Sequence, residues 1–193
     1  MTLQTKVTGV ILAGGQARRM NYQPKGLQIY HGQLLISYSF NALRPMADDL
    51  IINANQNLNE YRLFGVPVIS DLTPDFFGAL AGILAAMTVA KTDLLLVVPC
   101  DAPHITTTQL QHLLAEHEKS GAEITVARTG ELVHSVFLAV QTSLKTSLEN
   151  YLAQGERKVQ RWFLQHHTHY VDFGADAMGF ENINTLAELN AIP

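Results

Sequence analysis

Short apolar runs that end at a glycine, a proline or a polar residue recur along the chain, and they predict buried strands. The clearest run is Asp93–Val98, which ends at Pro99; Val7–Leu12 and Asp49–Ala54 have the same character, and Val66–Ile69 is a shorter example. These runs are apolar at nearly every position instead of at alternate positions, which is typical of parallel strands covered on both faces. The pattern therefore predicts a central sheet that is mostly parallel.

Segments with helical spacing separate these runs. The predicted helices cover residues 34–46, with a helix breaker at Pro45, and then Gly78–Ala90, Thr107–Lys119, Ser143–Leu152, Glu156–His166 and Thr185–Asn190. Further strands are predicted at Glu123–Ala127, Val136–Val140 and His169–Phe173. Strands that alternate with helices indicate an α/β protein built from βα units. The length of 193 residues favours a single domain over residues 1–193.

The balance of charges narrows the class of ligand. The net charge is −4, which argues against a broad basic surface for nucleic acid or for a membrane. No stretch approaches 18 consecutive apolar residues, and Met1–Lys6 lacks the architecture of a signal peptide. Cys100 is the single cysteine, so the chain forms neither an internal disulfide nor a cysteine-based metal site. We therefore expect a cytoplasmic protein that holds any phosphate-bearing ligand through local groups.

The first of these local groups is a glycine turn directly after the first predicted strand. Ligands of open parallel sheets bind at the carboxyl ends of the strands. Gly14 and Gly15 lie at such an end, where backbone N–H groups can point at phosphate oxygens. Arg18, Arg19 and Lys25 could neutralise the charge of a triphosphate, although the spacing matches neither common phosphate-loop template. A plain glycine turn between a strand and a helix is the alternative.

Acidic and amide side chains follow three other predicted strands. Asp101 closes the segment after the central strand, where it could hold Mg²⁺ together with phosphates and water, or could merely cap the following turn. Asp71 has the same two interpretations. Asn53 and Asn55 could hydrogen-bond a base or a ribose, or could cap the end of their strand.

These motifs resemble those of a known family. Leu12-Ala13-Gly14-Gly15, followed by Arg19-Met20 and Lys25-Gly26, resembles the signature of nucleotidyltransferases of the sugar-phosphate type. The combined pattern is closer to the molybdenum cofactor guanylyltransferases, and it includes Ile52-Asn53-Ala54-Asn55, Gly78-Ala79-Leu80-Ala81-Gly82, Pro99-Cys100-Asp101-Ala102-Pro103, Gly155-Glu156-Arg157 and Asn182-Ile183-Asn184-Thr185. The resemblance covers residues from Thr8 to Leu189. The chain departs from the family pattern at Asn21, Pro24, Ala79 and Ser135.

The resemblance implies a fold, an activity and a set of site residues. The implied fold is a three-layer Rossmann-like sandwich of the nucleotide-diphospho-sugar transferase type. The implied activity transfers GMP from GTP to molybdenum-loaded molybdopterin and releases pyrophosphate. The implied GTP-binding residues are Leu12, Ala13, Gly14, Gly15, Lys25, Asn53, Asp71 and Asp101. Catalysis would depend on Asp101, Lys25 and Arg19, with Mg²⁺ on Asp101, and the pterin side would involve Arg157, Asn182 and Asn184.

The resemblance also implies protein partners, and three other functions stay open. The partners would be apo-molybdoenzymes, their chaperones or other cofactor-biosynthesis proteins, with no role for nucleic acid or for a membrane. The nearest alternative is a related nucleotidyltransferase that uses CTP or a sugar phosphate. A second is a non-catalytic module that binds nucleotide or pterin and delivers the cofactor. A glycosyltransferase is the third, and it is disfavoured because the segment from Asp101 lacks the second acid of an Asp-x-Asp motif.

Overall fold

The computed structural model describes residues 5–15, 24–73, 78–174 and 176–190. The strands are β1 (Val7–Leu12), β2 (Ile29–Tyr30), β3 (Gln33–Leu34), β4 (Asp49–Asn53), β5 (Val68–Ile69), β6 (Leu94–Pro99), β7 (Ile124–Thr129), β8 (Leu132–Gln141) and β9 (Thr168–Asp172). The helices are α1 (Leu35–Leu43), α2 (Leu58–Arg62), α3 (Ala79–Val89), α4 (Thr107–Ser120), α5 (Lys145–Ala153), α6 (Val159–Phe163) and α7 (Leu186–Asn190).

Seven of the strands form one sheet in the order β5-β4-β1-β6-β8-β7-β9. Strand β1 pairs in parallel with β4 and with β6, and the pairs β4–β5 and β7–β9 are also parallel. Strand β8 alone is antiparallel to both of its neighbours within this sheet. The prediction of an α/β protein with a mostly parallel sheet is therefore confirmed. The four parallel strands β5, β4, β1 and β6 place their carboxyl ends side by side at one edge.

Helices cover both faces of the sheet, which explains why its central strands are apolar at nearly every position. Side chains of β6 alternate between two cores because successive residues of a strand point to opposite faces. Leu94, Leu96 and Val98 pack on the side of α1 and α4, whereas Leu95 and Val97 pack on the side of α3, α5 and α6. The result is the three-layer sandwich that the family resemblance implies.

Most predicted boundaries differ from the observed ones by a few residues. The run Val7–Leu12 was predicted with the bounds that β1 has, whereas the helix predicted over Glu156–His166 covers only Val159–Phe163. Residues 156–158 are not helical because α5 ends at a turn in which Gly155 adopts a left-handed φ of 82°. Helix α4 begins where predicted, since Thr106 and Gln109 form a reciprocal capping box.

The structure also contains short elements that the apolar pattern did not predict. These are the hairpin of β2 and β3, the five-residue helix α2, and 3₁₀ helices at Lys25–Leu27 and Ala177–Phe180. A further 3₁₀ helix at Thr142–Leu144 overlaps the start of the helix predicted over Ser143–Leu152. Elements of two to five residues are too short to show a repeating pattern of apolar positions. Among the described residues, every helix falls short of the length and apolarity that a membrane span requires.

Candidate active site

The carboxyl ends of the parallel strands bring the predicted polar residues to one edge of the sheet. Leu12 at the end of β1 lies opposite Asn53 on one side and Pro99 on the other, and Asn53 in turn lies opposite Ile69. The segments that follow these strands therefore start next to one another. They carry the glycine turn, Asn53 and Asn55, Asp71, and Asp101, which are the residues selected from the sequence.

A lysine, an aspartate and an asparagine form a polar cluster at this edge. Lys25 Nζ donates to Asp101 Oδ2 at 2.9 Å and to Asn184 Oδ1 at 2.8 Å. The Asp101 side chain is 9% exposed and that of Lys25 is 24% exposed. The three residues come from distant parts of the chain, since 159 positions separate Lys25 from Asn184. The Lys25 ammonium is partly exposed, and its partner Asp101 follows β6, whose end lies beside the end of β1.

Close packing beneath the cluster fixes the position of Lys25. A Cβ atom added at Gly26 would lie 3.0 Å from the Tyr61 hydroxyl and 3.2 Å from Cys100 Cβ, so the backbone after Lys25 rests directly on these two side chains. Burial, together with the Asp101 carboxylate, raises the pKa of the Cys100 thiol far above its usual range. Cys100 is therefore a buried packing residue whose thiol is held in its protonated form.

Tyr61 is the residue of this region that sequence reasoning missed. It is 1% exposed, its hydroxyl has no hydrogen-bond partner among the described residues, and burial raises its pKa. Tyr61 lies on α2, which was not predicted, and a single aromatic residue in a polar segment gives no signal of a packing role. The structure assigns it that role through its contact with Gly26.

The segment before α7 is anchored to the Asp101 loop. The Ile183 N–H donates to the Asp101 carbonyl at 2.9 Å. The Glu188 carboxylate accepts hydrogen bonds from the N–H groups of Asn184 and Thr185, at 2.6 and 3.3 Å, and the first of these lowers the pKa of Glu188. These backbone contacts hold the Asn184 side chain against Lys25.

A second network joins three of the strand ends. Asn53 Nδ2 donates to Asp71 Oδ1 at 2.9 Å, and Asn55 Nδ2 donates to Asp71 Oδ2 at 2.8 Å. Asn55 Nδ2 also contacts the Gly14 carbonyl at 3.2 Å, and Asn55 Oδ1 accepts from the Asp71 N–H at 2.9 Å. The sequence left open whether the two asparagines bind a ligand or cap a strand, and the structure shows both of them bound to Asp71.

Two glycines allow Asn53 to occupy its position. Asn53 is 2% exposed, and its Oδ1 atom is among the nearest neighbours of a Cβ added at Gly14 or at Gly82. The added atom at Gly82 would also lie 2.8 Å from Leu12 Cδ2, which is closer than real Cβ contacts come. Gly82 belongs to the first turn of α3, so this helix approaches β1 and β4 as closely as a glycine allows.

The remaining predicted residues are less closely connected to the cluster. Arg157 Nη1 donates to the carbonyls of Leu152 and Glu156 at 2.8 and 2.6 Å, which places the guanidinium at the carboxyl end of α5. The Asn182 carbonyl accepts from Asn184 Nδ2 at 3.2 Å, and Asn182 Oδ1 is buried without a hydrogen-bond partner among the described residues. Arg19, which was predicted to be catalytic, lies outside the described residues.

Asp101 has the donor chemistry for a magnesium ion. One carboxylate oxygen is bound to Lys25, and the other accepts no hydrogen bond from the residues that the structure describes. Among all the residues that the structure describes, no group of three or more His, Cys, Asp or Glu side chains surrounds a possible metal position. Mg²⁺ is commonly held by one or two carboxylates, with substrate phosphates and water completing the shell. Asp101 therefore fits an ion that arrives with a triphosphate.

A mostly parallel sheet that gathers a glycine turn, a lysine and an aspartate at the carboxyl ends of its strands is typical of Rossmann-like proteins that bind nucleotides. Residues 9–170 match the MobA-like NTP transferase domain, and the chain belongs to this family.

Relatives from several bacteria support the assignment. The chain is 43% identical over 185 residues to a molybdenum cofactor guanylyltransferase of Mannheimia succiniciproducens, which covers 96% of this chain and 97% of that protein. It is 40% identical over 183 residues to the enzyme of the same name from Shewanella sp. (strain W3-18-1), covering 95% and 93% of the two chains.

Solved structures show the same fold at lower sequence identity. The molybdopterin-guanine dinucleotide biosynthesis protein A of Archaeoglobus fulgidus superposes with a TM-score of 0.79 at 24% identity and covers 94% of each chain. The 4-diphosphocytidyl-2C-methyl-D-erythritol synthase of Anaerococcus prevotii superposes with a TM-score of 0.73 at 11% identity and covers 96% and 95% of the two chains. The fold is therefore shared across nucleotidyltransferases of different names.

Proposed function

We propose that this protein transfers GMP from GTP to the terminal phosphate of molybdenum-loaded molybdopterin, with Mg²⁺ as the cofactor. The name shared by relatives of about 40% identity over nearly the whole chain supports the reaction. The observation that best supports this location for the active site is the cluster in which Lys25 is hydrogen-bonded to Asp101 and Asn184.

The chemistry requires no catalytic base. An oxygen of the acceptor phosphate attacks the α-phosphorus of GTP and forms a new P–O bond, while the bond from that phosphorus to the bridging oxygen breaks and pyrophosphate leaves with the electron pair. The attacking phosphate is already ionised at neutral pH. Catalysis then depends on positioning and on the stabilisation of negative charge.

Lys25 and Asp101 are the charged residues proposed to act on the phosphates. The Lys25 ammonium would move from Asp101 to the phosphate oxygens of GTP, where it offsets the charge that develops as pyrophosphate leaves. Asp101 would hold Mg²⁺, which when bound supplies further positive charge to the phosphates. Arg19 is proposed to act in the same way, and backbone groups of Leu12, Ala13, Gly14 and Gly15 would contact GTP.

The second network is proposed to bind the nucleoside. The Asp71 carboxylate and the Asn53 amide lie at the ends of neighbouring strands, and both offer acceptor oxygens to the donors of a guanine or a ribose. On the acceptor side, Arg157, Asn182 and Asn184 are proposed to contact the pterin. Because Asn184 is bonded to Lys25, we expect it to lie where the two substrates meet.

The decisive experiment supplies the purified protein with Mg²⁺, molybdenum-loaded molybdopterin and each of the four nucleoside triphosphates in turn. GTP should give a pterin that carries GMP together with one equivalent of pyrophosphate. Product from CTP instead of GTP would identify the cytidine-using alternative, and binding of GTP without pyrophosphate release would identify the delivery module.

A matched pair of variants tests the site. Asp101→Asn keeps the shape of the side chain but removes the charge, and it should lower turnover by about 10²-fold or more, in the range found when a charge-stabilising group is lost. Asp93→Asn removes an exposed carboxylate at the opposite end of the same strand and should leave turnover unchanged. Equal turnover in the two variants would remove Asp101 from the mechanism.

The setting of the reaction belongs to the same proposal. We propose that the protein works in the cytoplasm, where a reducing environment keeps the buried Cys100 as a thiol. Its product would pass to apo-molybdoenzymes, either directly or through their chaperones.

A further inference from the structure

Asn55 lies at the point where three strand ends meet. It follows β4, which lies between β5 and β1 in the sheet. Its side chain is therefore between the segment that carries Asp71 and the segment that carries the glycine turn. No other residue in the described part of the chain hydrogen-bonds to both of these segments through its side chain.

Every polar atom of the Asn55 side chain is used within the protein. Nδ2 donates to Asp71 Oδ2 at 2.8 Å and to the Gly14 carbonyl at 3.2 Å, and Oδ1 accepts from the Asp71 N–H at 2.9 Å. The amide has two N–H groups, so both donors have a partner. A side chain committed in this way offers no donor to a ligand, but it fixes the groups to which it is bonded.

The first of these groups is the peptide between Gly14 and Gly15. In a planar trans peptide the carbonyl and the following N–H point to opposite sides. Because the Gly14 carbonyl points to Asn55, the Gly15 N–H points away from Asn55. Gly15 has open space around it, since a Cβ atom added there would meet nothing within 4 Å. The Gly15 N–H is thereby oriented as a donor for a ligand.

The second group is the Asp71 carboxylate. Asn55 binds Asp71 at two points, its N–H and its Oδ2 atom, and Asn53 holds the other carboxylate oxygen. A carboxylate held at both oxygens has one orientation, whereas a free one rotates about its terminal bond. Because the carboxylate is already held in one orientation, nucleotide binding would cost less side-chain entropy.

We propose that Asn55 is a positioning residue for nucleotide binding, which fixes the Asp71 carboxylate and the Gly14–Gly15 peptide at the same time. The inference rests on the proposed function, because it assumes that GTP binds at this edge. It adds a residue that does not itself touch the nucleotide.

The test measures GTP affinity by titration calorimetry in the presence of Mg²⁺, together with KM and kcat for the complete reaction. Asn55→Ala should weaken GTP binding about tenfold and raise KM to match, with kcat within twofold of the wild-type value. Asn59→Ala removes an exposed asparagine that bonds only to Arg62 on the same helix, and it should leave both quantities unchanged. Unaltered GTP affinity in the folded Asn55→Ala protein would overturn the proposal.

A double-mutant cycle separates positioning from a general structural effect. If Asn55 acts through Asp71, then Asn55→Ala should weaken GTP binding less than threefold in an Asp71→Ala background, because most of its effect has already been lost. A full tenfold effect in both backgrounds would overturn this route of action. Asn55→Ser, which keeps a short polar group, serves in the same cycle if Asn55→Ala does not fold.

The two proposals fail in different ways. A wild-type protein that binds GTP tightly but forms no GMP-pterin product refutes the proposed reaction and leaves the role of Asn55 in nucleotide binding testable by the same titration. A wild-type protein that forms the product, with an Asn55→Ala variant of unchanged affinity, refutes the positioning role alone.

Discussion

Replacement of Gly82 by alanine tests whether the approach of α3 to the sheet is as close as the structure shows. An alanine Cβ at this position would lie 2.8 Å from Leu12 Cδ2 and 2.9 Å from Asn53 Cγ, and it would collide with Asn53 Oδ1. Asn53 is 2% exposed and bonded to Asp71, so it has little room to move. The collision should displace Asn53 and break its hydrogen bond.

The expected change in the free energy of unfolding combines one stabilising and two destabilising contributions. Alanine in a helix is favoured over glycine by about 1 kcal/mol, which would stabilise the variant if nothing else changed. Extra atoms forced into a well-packed site cost about 1–3 kcal/mol. The loss of the Asn53–Asp71 hydrogen bond costs roughly a further 1 kcal/mol. The free energy of unfolding of Gly82→Ala should therefore be lower than that of the wild type by about 1–3 kcal/mol.

Urea denaturation of the free protein measures this difference directly. Gly15→Ala is the matched control, because a Cβ there meets no atom within 4 Å and the φ angle is not left-handed, so its stability should stay within about 0.5 kcal/mol of the wild type. Only Gly82→Ala should be less stable, and its displaced Asn53 should also weaken GTP binding. A Gly82→Ala protein as stable as the wild type, or more stable, would refute the packing argument.

Three further predictions concern single side chains. Lys25→Met should lower kcat/KM for GTP by about 10²-fold, whereas Lys91→Met, at an exposed position, should not change it; equal rates would show that the contacts of Lys25 with Asp101 and Asn184 have no catalytic role. Cys100, which is 5% exposed and whose thiol pKa is raised by burial, should resist iodoacetamide at pH 8 in the native protein and react in urea; rapid labelling of the native protein would contradict this. Burial lowers the pKa of His117, so the folded state holds it neutral while the unfolded chain takes up a proton below about pH 6.5. The free energy of unfolding should therefore be fully retained above that pH and should decrease as the pH falls. Urea titrations at several pH values should show a smaller decrease for His117→Gln than for the wild type.

The sheet could be predicted from the sequence because its central strands are buried on both faces. Such strands leave runs that are apolar at nearly every position, and Val7–Leu12 was predicted with its observed bounds. The short elements outside the seven-stranded sheet could not be predicted in this way. The two-residue strands β2 and β3 and the short helix α2 are determined by contacts with the rest of the chain, which leave no periodic pattern in their own residues.

The candidate site could also be predicted only in part. That Asn53, Asp71 and Asp101 would lie near the glycine turn follows from the rule that parallel strands end at the same edge. The contact of Lys25 with Asn184 could not be derived from spacing, since it depends on the path of the segment before α7. That path is fixed by single hydrogen bonds, such as those from Ile183 to Asp101 and from Gln109 to Asp176. Only the family resemblance had placed Asn184 in the site.

The bond between Lys25 and Asn184 also has a consequence for the newly made chain. Since 159 positions separate the two residues, a ribosome that adds roughly 5–20 residues per second needs about 8–30 s to travel from one to the other. During that interval the nascent protein already carries the glycine turn, and later Asp101, but not the side chain that completes the coordination of the lysine. A chain that ends before position 184 would contain every strand described above and the residues proposed to bind GTP, but it would lack the asparagine that holds the Lys25 ammonium.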